Sequence, residues 1–187
     1  LLGSRGLGDV YKRQLIDNEP EVLGDCCLNG EPSSPFTIRY GEKGLLWLTF
    51  KIQTDGSHGA YTHLSKSATL VATDLIQELK SLEALDVEVP HELRKAQEKS
   101  ATAFDQGMGV GAANIAPKVT LNIGTISGGL KNNMVPSECS FEADIRLPVG
   151  CNLDKILNSI DEISKKFPED SMAVSYTHLR AHETLTD

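Results

Sequence analysis

Residues 44–63, GLLWLTFKIQTDGSHGAYTH, contain the pattern that decides the fold. Apolar side chains occupy every second position from residue 46 to residue 52, which predicts a β-strand with one buried face. The glycine-rich turn of residues 56–59 then ends the strand and presents His58. An imidazole between glycines is accessible, so His58 is either a functional group or an ordinary surface turn residue, and spacing alone leaves both open.

Composition places the chain among globular proteins. It has 187 residues, of which 40% are hydrophobic and 24% charged, enough for one domain with its own core or for a small domain plus fragments. The formal net charge of −8 and the lack of a Lys/Arg cluster argue against a nucleic-acid partner. No apolar run approaches the roughly 20 residues that a membrane-spanning helix needs. Cys26, Cys27, Cys139 and Cys151 have no zinc-type spacing, so we expect free thiols in a cytoplasmic protein.

Periodicity predicts six elements, of which the opening strand is the first. The predicted strands cover residues 45–53, 118–126, 134–147 and 171–174, and the predicted helices cover 64–82 and 153–167. A loose connector, residues 86–117, carries a thin helical pattern over residues 92–104. The order predicts an α+β fold of the ferredoxin-like βαββαβ plan, a four-stranded antiparallel sheet with two helices on one face.

The two ends of the chain do not continue these patterns. Residues 1–14, LLGSRGLGDVYKRQ, and residues 175–187 resemble translated sequencing-adaptor read-through, in which DVYKRQ and VSYTHLRAHET recur. We therefore expect both to be artefact-like segments that are foreign to the natural protein. His178 and His182, although spaced i, i+4 as metal ligands often are, are excluded with the tail.

Three motifs in the remaining chain resemble one family. They are DCCLNGEPSS at residues 25–34, GSHGAYTHL at residues 56–64, and TLNIGTISGGLKNNMVP with FEADIRLP at residues 120–148. Together they resemble the di-zinc metallopeptidases and deacylases that include acetylornithine deacetylase, succinyl-diaminopimelate desuccinylase, aminoacylase and carboxypeptidase G. The resemblance implies that residues 44–174 form a lid, or dimerisation, domain, and that residues 15–43 end the first half of a split catalytic domain.

The resemblance also implies roles for four residues. Glu31 corresponds to a carboxylate ligand of one zinc ion, and His58 to a lid histidine that stabilises an oxyanion in the active site of the partner subunit. Asn133 corresponds to a substrate-binding asparagine, and Arg146 to an arginine that holds the free carboxylate of the substrate. Ordinary turn or strand-end roles remain open for each. We expect His58 and Arg146 to lie on the same rim of one sheet.

The order of Gly56 and Ser57 before His58 departs from the family's usual Ser-Gly-His or Gln-Gly-His, and Thr62 stands where a proline is usual. The other zinc ligands and the general base of the family are missing, so we expect this chain alone to bind no zinc tightly and to be inactive. The resemblance implies a longer protein that contains this chain, called the parent below. The parent would be a homodimeric, zinc-dependent amidohydrolase of N-acyl amino acids or small peptides, and it would dimerise through an edge strand and the long helix. The alternative is a non-enzymatic ferredoxin-like module that binds a small ligand or dimerises.

Overall fold

The computed structural model describes residues 18–19, 42–167 and 172–180. From residue 42 onward these residues belong to one compact unit, Ser34–Asp187. The strands are β1 (Gly44–Gln53), β2 (Ser57–His58), β3 (Thr120–Gly128), β4 (Met134–Val135), β5 (Glu138–Leu147) and β6 (Met172–Arg180). The helices are α1 (Ala68–Leu79), a 3-10 helix (Lys80–Ala84), α2 (His91–Met108), α3 (Ala112–Ile115) and α4 (Leu153–Ser164).

The main sheet contains four strands in the order β3-β5-β1-β6, with every neighbouring pair antiparallel. Its central pair is in unbroken register from Gly44 opposite Leu147 to Gln53 opposite Glu138. The α+β class and the antiparallel pairing predicted from the sequence are confirmed. A second sheet of two strands, β2 with β4, was not predicted.

The core lies on one face of the main sheet. Every second residue of β1 and β5 is buried there, and Phe50 stacks on Phe141 with 4.7 Å between ring centroids. Helices α1 and α4 contribute their apolar stripes to the same core. Burial of these side chains is the main stabilising term for the fold. The buried helical residues are Ala68, Ala72, Leu75 and Leu79 of α1 and Ile156, Ile160 and Ile163 of α4.

Several boundaries differ from the predicted ones for identifiable reasons. The strand predicted over residues 134–147 is divided into β4 and β5 at Pro136, because the proline nitrogen has no proton to donate to a neighbouring strand. The carbonyl of Pro136 accepts hydrogen bonds from the Thr54 hydroxyl and the Ala68 amide. The long helix begins at Ala68 rather than at residue 64, because residues 59–67 form turns. The side chain of Asn152 caps α4, accepting from the amide of Lys155 at 3.1 Å.

Two other regions extend beyond their predicted limits. Helix α2 covers 18 residues, and none of them is buried, which agrees with its thin apolar side. Strand β6 continues to Arg180 and pairs with β1, so it includes part of the segment set aside as foreign. That expectation concerns the origin of the segment and stays a prediction.

In the part of the chain that the structure describes, no helix has the length and apolar character needed to cross a membrane.

Candidate active-site residues

His58 is on the small two-stranded sheet, and Asn133 immediately precedes the strand that pairs with it. His58 pairs with Met134, and Ser57 pairs with Val135. Immediately beyond the pair, the amide of Gly59 donates to the carbonyl of Asn133 at 2.7 Å. The backbones of two predicted residues that are 75 positions apart in the sequence are therefore brought close together.

Glycines make this close approach possible. A Cβ atom on Gly59 would lie 2.9 Å from the carbonyl carbon and oxygen of Asn133, closer than real side chains come. Gly56 has a φ of +67°, which favours glycine, and its amide donates to the hydroxyl of Ser65 at 2.9 Å. The exchanged order of Gly56 and Ser57 is thus compatible with a tight turn before His58.

The imidazole of His58 is oriented by its own backbone. Its Nδ1 accepts a hydrogen bond from the amide of Ala60 at 3.2 Å, so in the neutral ring the proton is on Nε2. The side chain is exposed, and its ring centroid lies 5.8 Å from that of Tyr61. Tyr61 in turn contacts His63 edge-on at 6.3 Å. His58 can therefore donate from Nε2 to a group outside this chain.

Arg146 lies elsewhere on the main sheet. It is on β5, opposite Leu45 of β1 and Thr120 of β3. Its Nε and Nη2 both donate to Oδ2 of Asp144, at 3.0 and 2.8 Å. The guanidinium is partly exposed, as a ligand-binding group requires.

A second cation lies close to Arg146. The ammonium of Lys43 donates to the carbonyls of Ile115 at 2.8 Å and Lys118 at 2.6 Å. Burial, followed by the positive charge of Arg146, lowers the pKa of Lys43. Two of the three N–H groups of the Lys43 ammonium are thus directed at backbone carbonyls, which leaves one for any other acceptor.

The expectation that His58 and Arg146 share one rim of the sheet is wrong. Arg146 faces the beginning of β1, at Leu45, whereas His58 follows the end of β1, beyond Gln53. Leu45 and Gln53 are eight residues apart on the extended strand β1, which corresponds to roughly 26 Å at about 3.3 Å per residue. The two side chains of one protomer cannot contact the same small substrate.

Open grooves do not identify the site. One of about 580 Å³ lies between the 3-10 helix and α4 and contains none of the predicted residues. Another, of about 480 Å³, is formed by the loop before β4, next to Asn133, and includes the exposed Leu130 and Met134.

The described residues do not provide a metal site. Within residues 42–167 and the described parts of the two ends, no three His, Cys, Asp or Glu side chains are grouped so that they could hold a metal ion. Glu31, the one predicted zinc ligand, lies outside the described residues. A metal implied by the resemblance therefore does not fit the described part of this chain, and we derive no chemical step through it.

The sequence analysis missed Asp144. The signal was the spacing of Asp144 and Arg146, since residues i and i+2 of a strand lie on the same face of a sheet. Tyr61 was also missed, although it stands in the same motif as His58. Neither residue has a spacing that a search for metal ligands or catalytic triads would detect.

Comparison with known proteins identifies the class. The model of the M20 peptidase dimerisation domain matches residues 40–171, and the chain belongs to this family. The family resemblance predicted from the three motifs is thus confirmed.

Individual relatives agree with this assignment. The chain is 27% identical over 149 residues to a probable carboxypeptidase of Paracoccidioides brasiliensis, covering 80% of this chain and 29% of the relative. It is 26% identical over 110 residues to N-acetyldiaminopimelate deacetylase of Leuconostoc citreum, covering 59% and 22%. An M20 family metallo-carboxypeptidase of Sulfolobus solfataricus shares the fold, with a TM-score of 0.58 and 17% identity over 92% of this chain and 53% of that one. The chain therefore spans less than a third of the length of these two curated relatives.

Proposed function

We propose that this chain is the ferredoxin-like lid domain of a metal-dependent amidohydrolase that cleaves N-acyl amino acids or small peptides. Membership of the peptidase dimerisation domain family supports this, as do relatives named carboxypeptidase and deacetylase. Both names describe cleavage of an amide bond. The free thiols of Cys139 and Cys151 support a reducing compartment such as the cytoplasm.

The observation that carries the proposal is the juxtaposition of His58 and Asn133. In the proposed reaction the Nε2–H of His58 donates to the scissile carbonyl oxygen as negative charge develops there. Such a preorganised donor is typically worth about 10²–10³ in rate. The side-chain amide of Asn133 hydrogen-bonds the substrate beside it. Gly59 allows the close backbone approach that brings the two residues together.

Arg146 binds the free carboxylate of the substrate in this proposal. A planar guanidinium can hold a carboxylate with two parallel hydrogen bonds, which sets its orientation. Because Arg146 and His58 lie at opposite ends of β1, they serve different active sites. In a two-fold dimer, each site then takes His58 and Asn133 from one protomer and Arg146 from the other.

The metal belongs to the parent rather than to the described residues. We propose zinc, with Glu31 as the single ligand from this chain and the others in the catalytic halves. Zinc would supply an activated water when bound. With one ligand of about three that a catalytic site needs, this chain alone should bind zinc weakly and hydrolyse nothing.

The dimer contact that we propose uses strand β3 and helix α1. Strand β3 is at an edge of the main sheet, so one side of its backbone is open to pairing. Ile126 of β3 and Leu70 of α1 are 56% and 65% exposed. The register places Ile126 opposite Phe141, on the helix-covered side of the sheet, and α1 contacts β3. A second copy would cover both apolar side chains.

The direct test begins with the source gene. Extending it past both ends should reveal the missing metal ligands, and the intact parent should hydrolyse N-acyl amino acids or dipeptides. H58A should lower kcat about 10²–10³-fold, whereas H63A, a change to a nearby exposed histidine, should leave kcat within about two-fold. Equal effects of the two variants would overturn the role of His58. An intact parent without hydrolase activity would favour the non-enzymatic binding module.

A further inference from the structure

Asp144 holds one edge of the Arg146 guanidinium. The two residues lie two positions apart on β5 and therefore on the same face of the sheet. Oδ2 of Asp144 accepts from Nε at 3.0 Å and from Nη2 at 2.8 Å. Oδ1 lies 2.8 Å from Nε, is buried, and makes no hydrogen bond to the described residues. The charge of the guanidinium is thus what compensates this buried oxygen.

We infer that Asp144 is a positioning residue for substrate binding by Arg146, an inference that rests on the proposed function. A guanidinium has two edges that can bind a carboxylate, Nε with Nη2 and Nη1 with Nη2. Asp144 occupies the first edge. No described residue accepts from Nη1, so the second edge keeps one proton on each nitrogen for an incoming carboxylate.

The exposure of the two side chains fits this division of roles. Asp144 is 25% exposed and Arg146 is 42% exposed, so the carboxylate lies deeper and the guanidinium nearer to solvent. A long arginine side chain loses conformational entropy when it binds a ligand. The hydrogen bonds to Asp144 restrict the side chain of Arg146 before the substrate binds, which lowers the entropic cost of binding.

A competing interpretation makes the opposite prediction. If Asp144 merely neutralised Arg146, it would compete with the substrate carboxylate, and its removal would strengthen binding. The positioning role instead predicts weaker binding after removal. The sign of the change in KM therefore distinguishes the two.

The test measures KM and kcat separately in the intact parent. D144N should raise KM about ten-fold and leave kcat within about two-fold, because the lost contact orients the bound carboxylate rather than the reacting carbonyl. D144E should restore part of the loss. The matched control is E142Q, a change to another carboxylate on the same strand face, which accepts from the Thr125 hydroxyl at 3.1 Å and not from Arg146. E142Q should leave KM unchanged.

A second readout uses the 187-residue chain itself. The Nε–H group of Arg146 should give a sharp, slowly exchanging NMR signal with restricted motion, and D144N should make it mobile while E142Q does not. An unchanged or lowered KM in D144N, or a mobile Nε–H in the unsubstituted chain, would overturn the inference.

The outcomes separate this inference from the proposed function. If R146A raises KM strongly and D144N does not, Arg146 binds substrate without help from Asp144. If R146A itself leaves KM unchanged, the proposed role of Arg146 fails, whatever Asp144 does.

Discussion

The amide of Gly59 donates to the carbonyl of Asn133 across 2.7 Å, and this contact joins the turn that presents His58 to the loop that carries Asn133. There is no room for a side chain between the two backbones. The contact therefore depends on the absence of a Cβ atom at position 59.

G59A should reduce the free energy of unfolding by about 1–3 kcal/mol, the usual cost of forcing an extra carbon into a packed contact. The matched control is G124A on β3, where a Cβ atom would meet its nearest neighbours only at 3.9 Å or beyond. Urea unfolding of the 187-residue chain measures both. Equal stability of G59A and the unsubstituted chain would contradict the close contact.

The proposed dimer contact predicts a change of oligomeric state. The intact parent should sediment as a dimer, and I126K should sediment as a monomer, because a lysine in the interface would bury an unpaired charge. The control is V110K, which changes a fully exposed valine in the turn after α2. A dimeric I126K protein would exclude the β3 edge as the contact.

Asp105 predicts a pH dependence in the α2–α3 region. Its carboxylate accepts from the amides of Ala113 at 2.8 Å and Gly111 at 3.0 Å, and these hydrogen bonds lower its pKa below the usual 3.8. A lowered pKa in the folded state means that the stabilisation is present above the unfolded pKa. It is lost as the pH falls through the folded pKa.

Hydrogen exchange at the Gly111 and Ala113 amides checks this prediction. After correction for intrinsic rates, protection should be constant near neutral pH and should fall below about pH 4. D105N should weaken protection at neutral pH and remove its acid dependence. E98Q, a change to another acidic residue of α2, should behave like the unsubstituted chain; acid-dependent protection in D105N would contradict the assignment.

The sequence predicted the strands and helices that bury alternate or periodic side chains. The alternation from Leu46 to Ile52 and from Phe141 to Ile145 fixed which face of each strand is buried, and the structure confirms it. The β2–β4 pair could not be predicted, because two residues per strand show no period. It depends instead on the tight approach of Gly59 to Asn133.

The position of Arg146 relative to His58 was predictable in principle and was predicted wrongly. β1 and β5 are antiparallel neighbours, so the residues that follow β1 lie at the opposite end of the sheet from the last residues of β5. His58 follows β1 and Arg146 is near the end of β5. The strand directions therefore place the two residues apart.

The most direct measurement mixes two impaired variants of the intact parent and assays them at a substrate concentration far below the KM of R146A. If His58 and Asn133 come from one protomer and Arg146 from the other, a heterodimer of H58A and R146A subunits contains one complete site and one doubly defective site. Random reassortment should then restore about a quarter of the unsubstituted activity, because half of the dimers are mixed and half of their sites are complete.

Mixing H58A with N133A is the matched control. In the proposed site those two residues come from the same protomer, so every site in the mixed dimer lacks one of them, and activity should stay at the level of the single variants. Restoration by H58A with R146A, and none by H58A with N133A, is the predicted result. Failure of the first mixture, although its subunits exchange, would contradict the shared active site.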